Sequence, residues 1–137
     1  MALKTSEIVT KVSAAAAGNL ASFVAGGGLE DSGTRKDGLK TQTSTSGAIA
    51  LNYNDGTVHA VTATGDITLT LTNLPTVGGI VVHATDWGAH TITLPAGTEF
   101  DGGATPTFTT SGTDILVFST IDGGATITLL VAAQDVS

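Results

Sequence analysis

Cysteine is absent from this 137-residue chain, which excludes a disulfide framework and any cysteine-ligated zinc site. Charge is scarce, at 12 % of residues, about half of what an average soluble domain carries. No apolar run approaches the roughly 20 residues needed to span a bilayer, so no membrane partner is expected. Met1 to Glu7 leads into no long apolar core, so no secretory signal is expected and the chain reads as cytoplasmically made. The formal net charge of −7 argues against a nucleic-acid binder, whose affinity comes largely from Lys and Arg on phosphates. Threonine and glycine fill the space left by charge, with 25 Thr and 18 Gly. That composition points away from a helical bundle and towards an all-β chain with many tight turns.

The few charges are unevenly placed. All five bases, Lys4, Lys11, Arg35, Lys36 and Lys40, lie in the first 40 positions beside four acids. Residues 41–137 hold eight acids and no base. This break divides a mixed-charge N-terminal arm, residues 1–46, from an acidic body, residues 47–137.

In the body, seven segments alternate or run apolar between turn signals: 49–53, 57–63, 67–72, 80–84, 91–94, 114–119 and 126–131. Asp55-Gly56 is a hairpin-turn signal, Thr64-Gly65-Asp66 turns again, and Asp122-Gly123-Gly124 precedes the last strand. Residues 114–119 are the most apolar and should be central. Seven strands in about 90 residues predict an antiparallel β-sandwich or barrel. Thr-Ile-Thr-Leu at 91–94 and 126–129, with its near copy at 67–71, is read as strand alternation rather than as a solenoid repeat. Thr68, Thr70 and Thr72 share one face, where an exposed strand usually carries Lys, Glu or Arg to discourage edge pairing. A flat threonine face suits packing against a copy, so a homo-oligomer is expected.

In the arm, residues 6–17 predict a short helix stopped by Gly18, residues 20–25 a strand, and residues 41–47 a polar linker. Its large apolar anchors, Ile8, Val12, Leu20 and Phe23, are too few for a core, so docking on a partner is expected to order them. Arg35 and Lys36 would steer that docking electrostatically.

No pattern specifies catalysis. Gly26-Gly27-Gly28 is followed by Leu-Glu-Asp rather than by the Lys of a phosphate loop. His83, Asp86 and His90 lie within eight residues and could ligate a metal, although the apolar run around His83 favours a hydrogen-bonded structural histidine. Asp101 and Asp122 each precede Gly-Gly; turn chemistry is favoured over a glycosidase pair or calcium ligands. Trp87 is favoured as a cap on the end of the sandwich over a sugar-stacking platform. No serine sits in a nucleophile elbow. No enzyme activity, resident metal or cofactor is expected.

Gly18-Asn-Leu-Ala-Ser-Phe-Val-Ala-Gly-Gly-Gly-Leu-Glu-Asp-Ser-Gly33 resembles a G-N-L-A…G-x-L-x-D-S-G segment of tailed-bacteriophage tail-fibre and head-surface proteins. Residues 65–75, Thr91 to Gly97, Phe118 and Asp122-Gly123-Gly124 resemble a small β-domain of phage virion proteins. Where such modules often place an aromatic after the last Gly-Gly turn, Ala125-Thr126-Ile127 stands here. The resemblance implies a trimeric, jelly-roll-like virion protein without catalytic residues. It further implies a capsid decoration (cement) protein on the capsid exterior, docked on the major capsid protein through the arm. The alternative it implies is a tail-fibre or tail-tip module that binds a host receptor or carbohydrate.

Overall fold

Strands of six to eight residues that alternate apolar and small polar side chains bury one face and must find a second layer to bury it against. Here that layer comes from the neighbouring strand in sequence. The computed structural model describes the backbone of residues 21–23, 29–31, 38–44 and 47–137, and side chains for 38–42 and 47–137. The chain forms two units, Met1–Arg35 and Lys36–Ser137. In the first, β1 (Ala21–Phe23) pairs antiparallel with β2 (Leu29–Asp31), and Phe23 stands opposite Leu29. β1 falls within the strand expected at 20–25. The helix expected at 6–17 lies outside the described residues.

The second unit is mostly β and sandwich-like, and among its described residues there is no α-helix. β3 (Leu39–Ser44), β5 (Val58–Ala63) and β7 (Gly78–Thr85) lie side by side and parallel in one sheet. β4 (Gly47–Asn52), β6 (Ile67–Thr72) and β8 (Ile92–Thr93) do the same in a second sheet. Consecutive strands therefore alternate between the sheets. The chain winds through three coils of roughly 20 residues, each adding one strand to each layer. Beyond β7 the larger sheet continues with β10 (Thr113–Thr120), β11 (Ile127–Ala133) and β9 (Thr98–Phe100), in the order β3-β5-β7-β10-β11-β9. β10 is antiparallel to both β7 and β11, and β9 is parallel to β11.

The all-antiparallel sandwich expected from the turns is thus corrected: within the second unit the β7–β10–β11 ladders are antiparallel and the other described ladders are parallel. The physical reason lies in the turns. A two-residue hairpin of type I′ needs positive φ at both central residues. Tyr53–Asp55 instead form a single 3-10 turn, capped by the Asn52 side chain, whose Oδ1 accepts from Asn54 N at 3.1 Å. The chain therefore turns a corner into the other sheet instead of folding back. Gly56 follows with φ of 153°, and a Cβ there would stand 2.2 Å from the Gly38 carbonyl oxygen of the coil beside it. Asn52 and Asn73, at matching corners of the first two coils, are joined by Asn73 Nδ2 donating to Asn52 Oδ1 at 2.8 Å.

All seven expected body strands are present, and the apolar β10 is interior, as expected. Three described strands were missed: β2, β3 and β9. β9 is short, and β3 occupies what reads as a polar linker.

The core lies between the sheets. Ile49, Leu51, Ile67 and Leu69 from the smaller sheet meet Val61, Ile80, Val82, Leu116, Phe118 and Leu129 from the larger. The interior is polar where the first coil meets the second. His59, fully buried, has Nε2 3.1 Å from the Gly56 carbonyl oxygen and Nδ1 3.1 Å from Gln42 Oε1. Gln42 Nε2 in turn donates to the Ala50 carbonyl across to the other sheet, at 3.3 Å. Burial pushes the imidazole below its ordinary 6.5, against the opposing pull of the Gly56 and Asn52 backbone and of Asp55, whose carboxylate pairs with Lys40 at 3.8 Å. Because the folded value is lower than the unfolded one, this contribution is present above about pH 6.5 and is lost as pH falls through the lowered value. Thermal melts should therefore show stability falling between pH 7 and pH 5, with a shallower pH slope for His59→Gln.

Candidate functional site

Groups that carry chemistry cluster when a fold builds a reaction centre; here they disperse. Among the described residues no three of His, Asp and Glu come close enough to hold a metal ion. His83 is exposed on the outer face of β7. Asp86, in the left-handed conformation at φ of 62°, turns its carboxylate back to accept from Gly112 N at 3.2 Å. His90 follows the next turn and lines an open hollow of about 360 Å3 with Ile92, Pro106 and Phe108. The structure does not bring the three together.

Asp101 and Asp122 are also separated, each lining a different surface hollow. Asp122 accepts from Thr126 N at 2.9 Å and from Thr120 Oγ1 at 2.8 Å, and these hydrogen bonds hold its carboxyl below the usual range. Asp66 accepts from Thr91 N at 2.8 Å. Asp114, fully buried, accepts from Thr109 N, Thr109 Oγ1 and Asp135 N at 2.7, 2.6 and 3.0 Å. Four of the eight acids in residues 41–137 are thus occupied in tying loops to strands. Asp-Gly as turn chemistry was readable at Asp122; the role of Asp114, inside an apolar strand, was not.

Trp87 is fully buried. Its indole Nε1 donates to the Val61 carbonyl at 3.1 Å, and its ring meets Phe108 edge to face at 5.5 Å. It plugs a corner of the third coil and presents no platform to a sugar. The neighbouring Gly88 leaves no room for a side chain, since a Cβ would lie 2.0 Å from the Phe108 carbonyl oxygen.

What the body does present is two broad outer sheet faces with little charge. On the smaller sheet, Thr68, Thr70 and Thr72 point outward and are exposed beside Ala48 and Ala50. This is the expected threonine face. On the larger sheet the register aligns Leu39, Val58, Val81, Val117 and Leu130 in one row across five strands. Sequence reasoning missed this face, although a signal existed. Ile80-Val81-Val82, Ile115-Leu-Val-Phe118 and Leu129-Leu-Val131 are continuous apolar runs, and a strand covered on one face alone would alternate.

Of the residues expected to dock, Ile8, Val12, Leu20, Arg35 and Lys36 lie outside the described residues. So does the Gly26-Gly27-Gly28 stretch. Phe23 is placed by its backbone in β1. Among the described residues, no helix is long and apolar enough to cross a membrane. No family model, curated protein or solved structure matches this chain.

Proposed function

We propose that this protein is a non-enzymatic structural component of a tailed-phage particle, a capsid decoration protein. It associates with its own copies and holds the shell through residues that precede the β body. The observation that carries this reading is how the body spends its polar groups. Its carboxylates staple turns, its one tryptophan is packed inside, and its outer faces are broad and nearly uncharged. Such a body suits surface-to-surface assembly. The trimeric state is proposed from the resemblance, and the major capsid protein is the proposed shell partner. In this reading the arm anchors Ile8, Val12, Leu20 and Phe23 become buried on the shell, while Arg35 and Lys36 pair with its carboxylates. Several arms on one assembly raise the effective concentration of each at its site.

The test is truncation at the boundary between the two units. Because β3 begins at Leu39, the cut belongs at Arg35. Removal of residues 1–35 should leave a body that melts cooperatively but no longer co-sediments with capsids lacking this protein. Undiminished co-sedimentation would exclude the arm as the anchor. Copy number in purified particles separates decoration from the tail: hundreds of copies fit a shell coat, a few to tens a fibre or tip.

A further inference from the structure

We infer that the outer face of the six-stranded sheet, and not the threonine face, is the surface through which copies of this chain meet. This rests on the proposal above that the copies associate, and it names where.

Large exposed apolar side chains are not scattered over the body. Leu39 and Leu130, 66 % and 50 % exposed, end the aliphatic row. Val77 and Ile121, 69 % and 80 % exposed, stand just beyond the Gly78–Thr120 pair that ends the β7–β10 ladder. Among the described residues, four of the five large exposed apolar side chains thus lie on or at the margin of this one face. The threonine face has none. β7, β10 and β11 also have the continuous apolar runs of strands covered on both sides, whereas the core covers only one side.

Size and charge select the occupant. Five strands about 4.8 Å apart, six to eight residues long at roughly 3.3 Å per residue, make a face of roughly 550 Å2. A standard interface buries about 800 Å2 on each partner, so this face with its Val77 and Ile121 margin comes close to what a stable contact needs. Along the aliphatic row and its neighbour, Thr41, Ala60, His83 and Ile115, there is no Lys, Arg, Asp or Glu. A charged partner would be desolvated here without compensation. A second copy brings an equally uncharged pair of rows, and Glu99, exposed on edge strand β9 opposite Thr128, lies outside them. The row is a ridge beside Gly79 and the small side chain of Ser119, which leaves room for side chains of a neighbouring copy.

The test uses the full chain and its lack of native cysteine. Leu130→Cys and, as the comparison, Thr70→Cys are each treated with a short bifunctional maleimide. Molar mass is read by light scattering for the parent and for Val117→Lys. The expected result is an oligomeric parent, covalent linkage of Leu130→Cys but not Thr70→Cys, and an at least hundredfold weaker association of Val117→Lys with an unchanged far-UV spectrum. An oligomeric parent with linkage through Thr70→Cys alone, or through neither, overturns this interface and leaves self-association standing. A monomeric parent overturns both; the face would then be covered by the arm of its own chain or by another protein. If Val117→Lys fails to fold, the half-exposed Leu130→Cys decides alone.

Discussion

Trp87→Ala should destabilise the β body by about 3–5 kcal/mol, the cost of emptying a large buried aromatic site. The indole is the largest fully buried side chain of the described residues, so little around it can collapse into the space. Its Nε1 ties the third coil to the Val61 carbonyl of the second, at 3.1 Å, and its ring supports Phe108. Removing it therefore loosens a coil-to-coil bond and the 105–109 connection together. A domain is held by about 5–15 kcal/mol in all, so the loss consumes a large part of the total. Thermal or urea denaturation should show a fall in Tm of at least about 10 °C. Trp87→Phe separates the two contributions: it keeps most of the packing but leaves the Val61 carbonyl without its donor, at a cost of about 1–2 kcal/mol. Equal losses for Phe and Ala would mean that the hydrogen bond, not the ring, holds the corner.

Asp114→Ala should be nearly as damaging, by about 2–4 kcal/mol. A buried carboxylate survives in an apolar strand only if its oxygens are well supplied with donors. Asp114 has three, from two loops: Thr109 N and Oγ1 on one side, Asp135 N on the other. Alanine would leave both backbone N–H groups unsatisfied next to the core. Asp114→Asn should cost less, because one amide oxygen still accepts. The two sites are adjacent through the chain, since Gly88 N donates to the Thr109 carbonyl at 2.9 Å and Phe108 packs on Trp87. The double variant Trp87→Ala/Asp114→Ala should therefore lose less than the sum of the single losses. Strict additivity, measured by urea midpoints, would show that the 105–113 connection does not couple them.

The strands of the body were legible because alternation is a local property. Ile67, Leu69 and Leu71 had to share a face whatever lay beside them. The pairing was not legible, because a turn sequence states that the chain changes direction without stating whether the next strand lies beside the last or across from it. Asn54-Asp55-Gly56 reads equally well as a hairpin tip and as a corner, and the Asn52 side chain with the 3-10 turn selects the corner. The repeat at 67–71 and 91–94 is the coil repeat, with Ile67 stacked on Ile92. The third copy, at 126–129, falls in antiparallel β11 and obscures the period. β3 went unread because its inward side chain is Gln42, a polar plug at the end of a stack, where an apolar residue would have marked a strand. The buried histidine is His59 and not His83. His59 alternates with Val61 and Ala63, which marks the inner side of β5, while His83 falls on the outward beat of β7.

The stacked architecture also bears on how such a protein changes length. Each winding lifts the backbone by about one interstrand spacing, roughly 4.8 Å, and repeats the same two layers. Duplication of one winding, for instance residues 58–77, would lengthen the molecule by that step while leaving the terminal plug, the tryptophan corner and the chemistry of both flanks as they are. Stature and surface are therefore separable in this fold. Variants of different height need only gain or shed whole windings.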